Sequence, residues 1–220
     1  QAEVKLALGD YLVMNGKRWD ASLLYSQVDK DFKEDPIGQE GRYKNALLSY
    51  YFGDFEWAQT QFDVLKNATS RLIANDAIDH SVFIMDNTGL DTTDAALRLY
   101  TAAELLIYRN LFDQANQKLD SILTLYPGNS LDDDVLYARA HIYVKQKQWD
   151  KAIAAYTKVI NDYKDQIRAD NSLYELAKLY DDVLDRKSEA QALYEKLFND
   201  YPGSILAQEA RLRYRALRGD

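Results

Sequence analysis

Cysteine is absent from the 220-residue sequence. Without thiols the chain forms no disulfide bond, offers no thiolate metal ligand and has no cysteine nucleophile. Cytoplasmic and oxidising compartments both hold cysteine-free proteins, so this absence does not assign a location. Any chemistry of this chain therefore rests on other side chains.

Glycine and proline are scarce, with nine and three residues respectively. A β-sandwich or barrel turns about every ten residues and normally uses more of both. Apolar residues make up 47% of the chain, which is too many for a disordered segment. The abundant alanine, leucine and lysine favour long helices instead.

A basic excess and a long apolar run are also missing. The formal net charge is −8 and no long basic stripe is present, so nucleic acid is a poor candidate partner. No apolar run approaches the roughly 18 residues that a membrane-spanning helix needs. The chain begins at Gln1 without a methionine or a signal peptide, and we expect a processed chain or an excised domain.

Internal repeats are the strongest positive feature. The stretch 161–167 is similar to 199–205, and the stretch 125–131 is similar to 200–206, which lies about two repeats further along the chain. Small residues that begin a second helix recur at spacings of 37, 57, 37 and 38, namely Ala21, Ala58, Ala115, Ala152 and Ala190. The spacing of 57 equals one repeat plus about one helix, and it predicts an extra helix there.

Apolar residues follow a helical period, as Trp149, Ala152, Ile153 and Tyr156 do at i, i+3, i+4 and i+7. We therefore predict an all-α fold, an α-α superhelix of about five helix pairs, each with a first (A) and a second (B) helix. The A helices are predicted at about 2–15, 36–52, 92–109, 131–146 and 168–183, and the B helices at about 18–33, 54–68, 112–126, 149–164 and 187–200.

The pattern predicts one domain that covers residues 1–220. An extra helix is expected at about 70–86 and a capping helix at about 204–217, with a turn between the extra helix and the next A helix. The repeats themselves are predicted at about 2–35, 36–69, 91–129, 130–166 and 167–203.

One repeat shows the residue pattern most clearly, with Ala140, Tyr143, Lys147, Trp149, Ala152, Tyr156 and Val159. These residues resemble the tetratricopeptide repeat (TPR) at its positions 8, 11, 15, 17, 20, 24 and 27. The chain departs from the family in its repeat period, which is a few residues longer, and in the segment 70–90, which breaks the phase. The resemblance implies a helical solenoid that binds other proteins.

Tyr-Pro-Gly at 126–128 and 201–203, together with the closing helix that follows Ser204, points to a narrower group. These features are similar to bacterial cell-envelope TPR proteins, such as the periplasmic type associated with Tol-Pal and the TPR lipoproteins of Bacteroidota. That resemblance implies a periplasmic or outer-membrane-associated adaptor, with a cytoplasmic protein as the alternative.

In TPR proteins the A helices line a concave groove, chiefly through positions 2, 5, 9, 12 and 13. Tyrosine recurs here at position 5 with spacings of 57, 37 and 37, and a rigid amphipathic side chain of this kind suits a binding anchor. The alternative is that tyrosine simply packs the core, which we expect for Tyr25, Tyr143, Tyr156, Tyr180 and Tyr194. We predict a groove for a protein or peptide partner at Tyr43, Tyr50, Tyr51, Tyr100, Tyr108, Tyr137, His141, Tyr174 and Lys178.

Catalytic patterns are missing from the sequence. The two histidines, His80 and His141, fall in different predicted helices without the spacing of a helical zinc site. Acidic clusters at 132–134 and 181–185 are most simply solvated helix ends. No phosphate-binding glycine loop or nucleophile elbow is present. We therefore expect no enzyme activity, no metal and no cofactor.

Three functions remain open at this point. The first is a non-catalytic interaction scaffold whose tyrosine-lined groove receives a partner segment. The second is a structural subunit of a cell-envelope assembly that docks through its convex face or an end helix. The third, a glycan-binding module, needs a convergent pair of acids, and the sequence shows none.

Overall fold

The computed structural model describes residues 1–33, 35–88 and 94–219. Within these residues the chain forms twelve α-helices and one π-helical turn, and no strand. The helices are α1 Ala2–Met14, α2 Arg18–Asp31, α3 Pro36–Tyr51, α4 Phe55–Leu65, α5 Arg71–Thr88, α6 Ala95–Tyr108, α7 Phe112–Leu125, α8 Asp132–Lys145, α9 Trp149–Asp162, α10 Arg168–Lys178, α11 Lys187–Asp200 and α12 Ala207–Arg218. The predicted all-helical, pairwise fold is confirmed.

The chain divides into two compact units, Gln1–Leu131 and Asp132–Asp220. In unit 1 consecutive helices from α1 to α5 pack on one another, α6 packs on α7, and α3 also contacts α6. In unit 2 the helices from α8 to α12 pack in sequence order. The predicted continuity of a single array from residue 1 to residue 220 stays a prediction.

The extra helix predicted from the widest repeat spacing is present as α5, Arg71–Thr88. It packs against α4 and also contacts α3, so it belongs to the core of unit 1. The turn predicted to follow it falls on residues 89–93, which lie outside the described residues.

Small residues hold each helix pair together. The five alanines that recur along the sequence, at position 20 of each pair, are all 0% exposed. A larger side chain has no room at such contacts: a Cβ added at Gly9 on α1 would overlap the ring of Tyr25 on α2. Bulky side chains one turn further along the B helices, such as Tyr25, Tyr156 and Tyr194, fill the space between pairs and are buried. Their predicted packing role is confirmed.

The turn between the two helices of a pair contains one residue with a left-handed backbone conformation in each of the five pairs. Its left-handed residue is glycine in the first two pairs, Gly16 and Gly53, with φ of 75° and 77°. Later pairs place Asn110, Lys147 and Asp185 in the same region, with φ of 58°, 57° and 51°. Glycine adopts this conformation without strain, whereas lysine does so at some cost, and the turn is retained even so.

One A helix accommodates an additional residue by changing its hydrogen-bond pattern. Ala177 and Ala190 of the last pair are further apart in sequence, by one residue, than the equivalent Ala140 and Ala152. The extra residue lies in a π-helical turn at Leu179–Val183, where the Leu184 amide donates to the Leu179 carbonyl at 3.0 Å. The turn places Asp181 in a buried position, where it accepts hydrogen bonds from Lys187 and Arg213.

Substitution of Ala152 by leucine tests the assigned register. Ala152 is completely buried on α9, so the extra atoms should lower the free energy of unfolding by about 1–3 kcal/mol. Ala154→Leu is the matched control, because Ala154 is exposed on the same helix. Chemical denaturation measures both variants, and equal stability of the two would show that the register is wrong.

Candidate functional site

The candidate site lies on the A helices, at positions 5, 9, 12 and 13 of the repeat pattern. We call the surface formed by these side chains the A-helix face of a unit. In unit 1 it is formed by α1, α3 and α6, and in unit 2 by α8 and α10. The nine predicted groove residues all lie on these helices, and their burial divides them into two groups.

Tyr50 and Tyr100 are buried, each with 1% of its surface exposed. The prediction that they are partly exposed anchors is therefore wrong. The extra helix is the physical reason, because Phe83 on α5 lies 5.3 Å from Tyr100 and 6.3 Å from Tyr50 between ring centroids. Tyr50 also donates a hydrogen bond from its hydroxyl to Glu104 Oε2 at 2.6 Å.

Tyr43 is half-buried beside the same extra helix. Its ring centroid lies 5.8 Å from that of Phe62 and 5.9 Å from that of His80. Burial raises the pKa of the Tyr43 hydroxyl, and the negative charges of Asp76, Asp79 and Glu104 raise it further. His80 is itself a packed helix residue, since its Nδ1 donates to the Asp76 carbonyl at 2.7 Å.

Tyr51 and Tyr108 line a cavity of about 60 Å³ on the A-helix face of unit 1. Tyr51 is half-buried, and Tyr108 is 37% exposed. The cavity has mostly apolar walls and one polar side. Its lining consists of Asp10, Val13, Tyr25, Lys44, Leu47, Leu48, Tyr51 and Tyr108.

The polar side of this cavity is organised around Asp10 of α1. The Tyr25 hydroxyl donates to Asp10 Oδ1 at 2.7 Å, and Lys44 Nζ lies 3.0 Å from both carboxylate oxygens. Lys44 also lies 3.6 Å from Glu40 Oε1. These bonds fix the position of the carboxylate at the edge of an apolar cavity.

In unit 2 the predicted residues Tyr137 and His141 are stacked on α8. Their ring centroids are 4.5 Å apart, and both rings contact Tyr156 beneath them, at 5.9 Å and 6.0 Å. The guanidinium of Arg168 lies 5.2 Å from the Tyr137 ring and forms an ion pair with the buried Asp134. Tyr137 is thus half-buried, with its inner side held by the core.

The His141 imidazole is neutral at pH 7. Burial, together with the positive charges of Arg168, Lys145 and Lys178, lowers its pKa to about 4. Its Nε2 atom is buried and makes no hydrogen bond with the described residues. An unsatisfied nitrogen of this kind costs about 1–3 kcal/mol, which is acceptable only where packing or binding offsets it.

Tyr174 and Lys178 continue this face on α10, and both are half-buried. Lys178 Nζ lies 5.5 Å from the Tyr174 ring and 3.4 Å from Glu175 Oε1. The Tyr174 ring contacts the completely buried Tyr194 at 6.1 Å. Tyr174 therefore has the same arrangement as Tyr137, with a packed inner side above a buried tyrosine.

Three residues of the unit 1 face are not among the predicted anchors. Asp10, Leu47 and Glu104 each stand at position 9 of an A helix, one helical turn after position 5. Position 9 was used in the prediction only for His141 and Lys178. Applying it to every A helix would have identified all three from the sequence.

The described residues contain no group of three or more histidine, aspartate or glutamate side chains placed to hold a metal ion. No helix among them is long and apolar enough to cross a membrane.

Comparison with known proteins identifies a family likeness for two of the helix pairs. Two stretches, residues 134–165 and 171–204, match the family model described as "Tetratricopeptide repeat". They coincide with α8–α9 and with α10–α11. These two stretches of the second unit are similar to tetratricopeptide repeats. Repeats of this family serve in general as scaffolds for protein–protein interaction and are typically non-catalytic.

No curated protein matches the chain in sequence. Among solved structures the chain is similar to a tetratricopeptide repeat protein from Parabacteroides merdae, with a TM-score of 0.44 and 13% sequence identity over 99% of this chain and 73% of that chain.

The depressed pKa of His141 in the first matched stretch makes unit 2 sensitive to acid. Between pH 6.5, near which a histidine titrates in an unfolded chain, and pH 4, the unfolded state binds a proton that the folded state excludes. The folded state therefore loses stability as the pH falls through this range. The variant His141→Phe should lose about 1–3 kcal/mol less than the wild type between pH 7 and pH 4. Denaturation curves across this range measure the difference, and parallel pH profiles of the two proteins would contradict it.

Proposed function

We propose that this chain is a non-catalytic interaction scaffold that binds a segment of a partner protein on its A-helix faces. The observation that carries the proposal is the partial burial of four tyrosines. Tyr51 and Tyr108 in unit 1, and Tyr137 and Tyr174 in unit 2, have one side packed on the core and the other open. A partner segment would complete their burial.

Half-buried tyrosines suit this task for physical reasons. The tyrosine side chain has few rotatable bonds, so it loses little conformational entropy when a partner binds. Packing against Tyr156 and Tyr194 fixes Tyr137 and Tyr174 further. The ring supplies a large apolar surface and the hydroxyl a hydrogen bond, a combination that is enriched among the residues that dominate binding energy.

The location of the protein is part of the same proposal. The resemblance of the Tyr-Pro-Gly turns and the closing helix to cell-envelope TPR proteins supports a periplasmic or outer-membrane-associated adaptor. A cytoplasmic scaffold is the alternative. Fractionation of the source cells with an antibody against the chain distinguishes the two.

Truncation of Tyr174 tests the proposed binding role. Tyr174→Ala should weaken partner binding by about 1–3 kcal/mol and lower the free energy of unfolding by less than that. Tyr194→Ala is the matched control, because Tyr194 is completely buried and its loss should cost about 3–5 kcal/mol of stability. Calorimetry of binding and chemical denaturation give the two energies. A Tyr174→Ala protein that is as unstable as Tyr194→Ala would assign Tyr174 to the core and remove the site.

A second candidate function is supported by one observation on α1. Val4, Leu8 and Tyr11, spaced at i, i+4 and i+7, form an apolar stripe with 47–70% of each side chain exposed. The residues at the equivalent places of α8 include Val135 and Ile142, which are completely buried against other helices. This stripe favours a structural subunit that docks through the exposed side of α1.

Co-purification from the source organism separates the two candidates. If the partner docks on α1, a stoichiometric partner should be lost with Leu8→Glu and retained with Tyr174→Ala. If the A-helix face is used, the reverse pattern is expected. If the partner is retained with both variants, neither candidate function is supported.

A further inference from the structure

The negative charge of the protein is concentrated in one unit. Unit 1 has 19 aspartate and glutamate residues against 12 lysine and arginine residues, so it carries seven of the eight net negative charges. Unit 2 has 16 acidic and 15 basic residues. Charge of one sign on one unit favours a partner of the opposite sign there.

Part of this charge lies on the A-helix face of unit 1. Asp10 borders the cavity, and its charge contributes to a raised pKa of Tyr108 after burial. Burial raises the pKa of Tyr51, and the charge of Glu104 is the next cause. The carboxylates on this face thus lie close to its aromatic rings.

Asp76 and Asp79 of α5 add two further carboxylates near Tyr43. Lys44 is the cation at the cavity, and it is held by Asp10 and Glu40. Asp10, Glu104, Asp76 and Asp79 therefore place four carboxylates around the tyrosines of this face.

We propose that the A-helix face of unit 1 binds a protein segment that carries lysine or arginine, with one cationic side chain entering the cavity between Tyr51 and Tyr108. This inference rests on the proposed scaffold function and specifies the chemistry of the partner for one unit. The occupant is a basic peptide segment, because charge complementarity selects it over an acidic or a neutral one.

The cavity matches the two parts of a lysine or arginine side chain. Its apolar walls, which include Val13 and Leu47, fit the methylene stem. Tyr51 and Tyr108 line the same cavity, and a cation held against an aromatic ring is attracted by the ring's electron density. Neutral or acidic side chains would gain only part of these contacts.

The carboxylates supply the charge that the cation needs once it leaves water. Glu104 lies four residues before Tyr108 on α6, so the two side chains share one side of that helix. Asp10 accepts three hydrogen bonds, one from Tyr25 and two from Lys44. A carboxylate offers about four lone-pair sites, which leaves capacity for one more donor.

Unit 2 provides the internal contrast. Lys145 and Lys178 lie on its A-helix face, and the positive charges of both act on His141. The carboxylates near Tyr174 are accompanied by Arg213, whose charge opposes theirs at the Tyr174 hydroxyl. Acidic groups on this face are therefore balanced by cations, and the preference for a basic segment is confined to unit 1.

The experiment begins with short random peptides displayed on phage and selected on the intact chain. Clones are kept when they bind the wild type and Tyr174→Ala but not Tyr108→Ala, since these report on the unit 1 face. We expect lysine or arginine in these clones. Clones without either residue would overturn the inference while leaving the scaffold function in place.

The strongest clone is then synthesised with a fluorescent label and measured by polarisation. Replacing its basic residue with glutamine should weaken binding about tenfold. Glu104→Gln in the protein, which keeps an acceptor for Tyr50, should weaken it about three- to tenfold. Glu56→Gln is the matched control, because it removes the same charge from an exposed position at the start of α4 and should change binding less than about twofold.

Equal effects of Glu104→Gln and Glu56→Gln would overturn the inference, because only the net charge of the unit would then matter. If no clone depends on Tyr108, the inference falls together with the proposed function for this unit. Loss of binding to Tyr108→Ala by every clone, including those that need Tyr174, would show instead that the variant fails to fold. Leu47→Ser, which changes another residue of the cavity lining, then replaces it in the selection.

Discussion

Close contact between paired helices is the constraint on which the rest of this structure depends. Alanine at the start of each B helix lets that helix approach its A helix, and each of these alanines is completely buried. Bulky residues such as Tyr156 and Tyr194 then fill the space between pairs. Once that register is set, Tyr174 and Lys178 at positions 5 and 9 of α10 stay half-buried, and the Tyr174 ring packs on Tyr194 of the partner B helix. The candidate binding surface is thus a geometric consequence of the core.

The extra helix divides the tyrosines of unit 1 into two classes. By covering Tyr50 and Tyr100 with Phe83, α5 converts two potential surface residues into core. The rings left open, Tyr51 and Tyr108, lie next to Asp10 and Glu104 rather than beside an excess of cations. Unit 2 has no such insertion among its described residues, and its tyrosines keep basic neighbours. One pattern of residues therefore produces two faces of different charge.

Much of this architecture is predictable from the sequence, because the same residue pattern recurs along the chain and predicts a pair of helices each time. The helix bounds, the extra helix and the buried alanines all follow from spacing and periodicity. The burial of Tyr100 does not, since it depends on which side of α6 the non-repeating helix covers. The π-helical turn at Leu179–Val183 is equally hidden, because a residue gained inside a helix looks the same in sequence as a residue gained in a loop. The cavity at Asp10 is lined by residues of four helices, α1, α2, α3 and α6, whereas helical periodicity describes each helix separately.

The central claim is that a partner segment lies on the A-helix faces. Hydroxyl-radical footprinting of the intact chain, with and without a peptide selected for binding, tests it most directly, because tyrosine oxidation reports the exposure of each ring. The account predicts that Tyr108 or Tyr174 loses oxidation in the complex, while Tyr11, which is 63% exposed on the outer side of α1, is oxidised as before. Protection of Tyr11 with no change at Tyr108 and Tyr174 would contradict it.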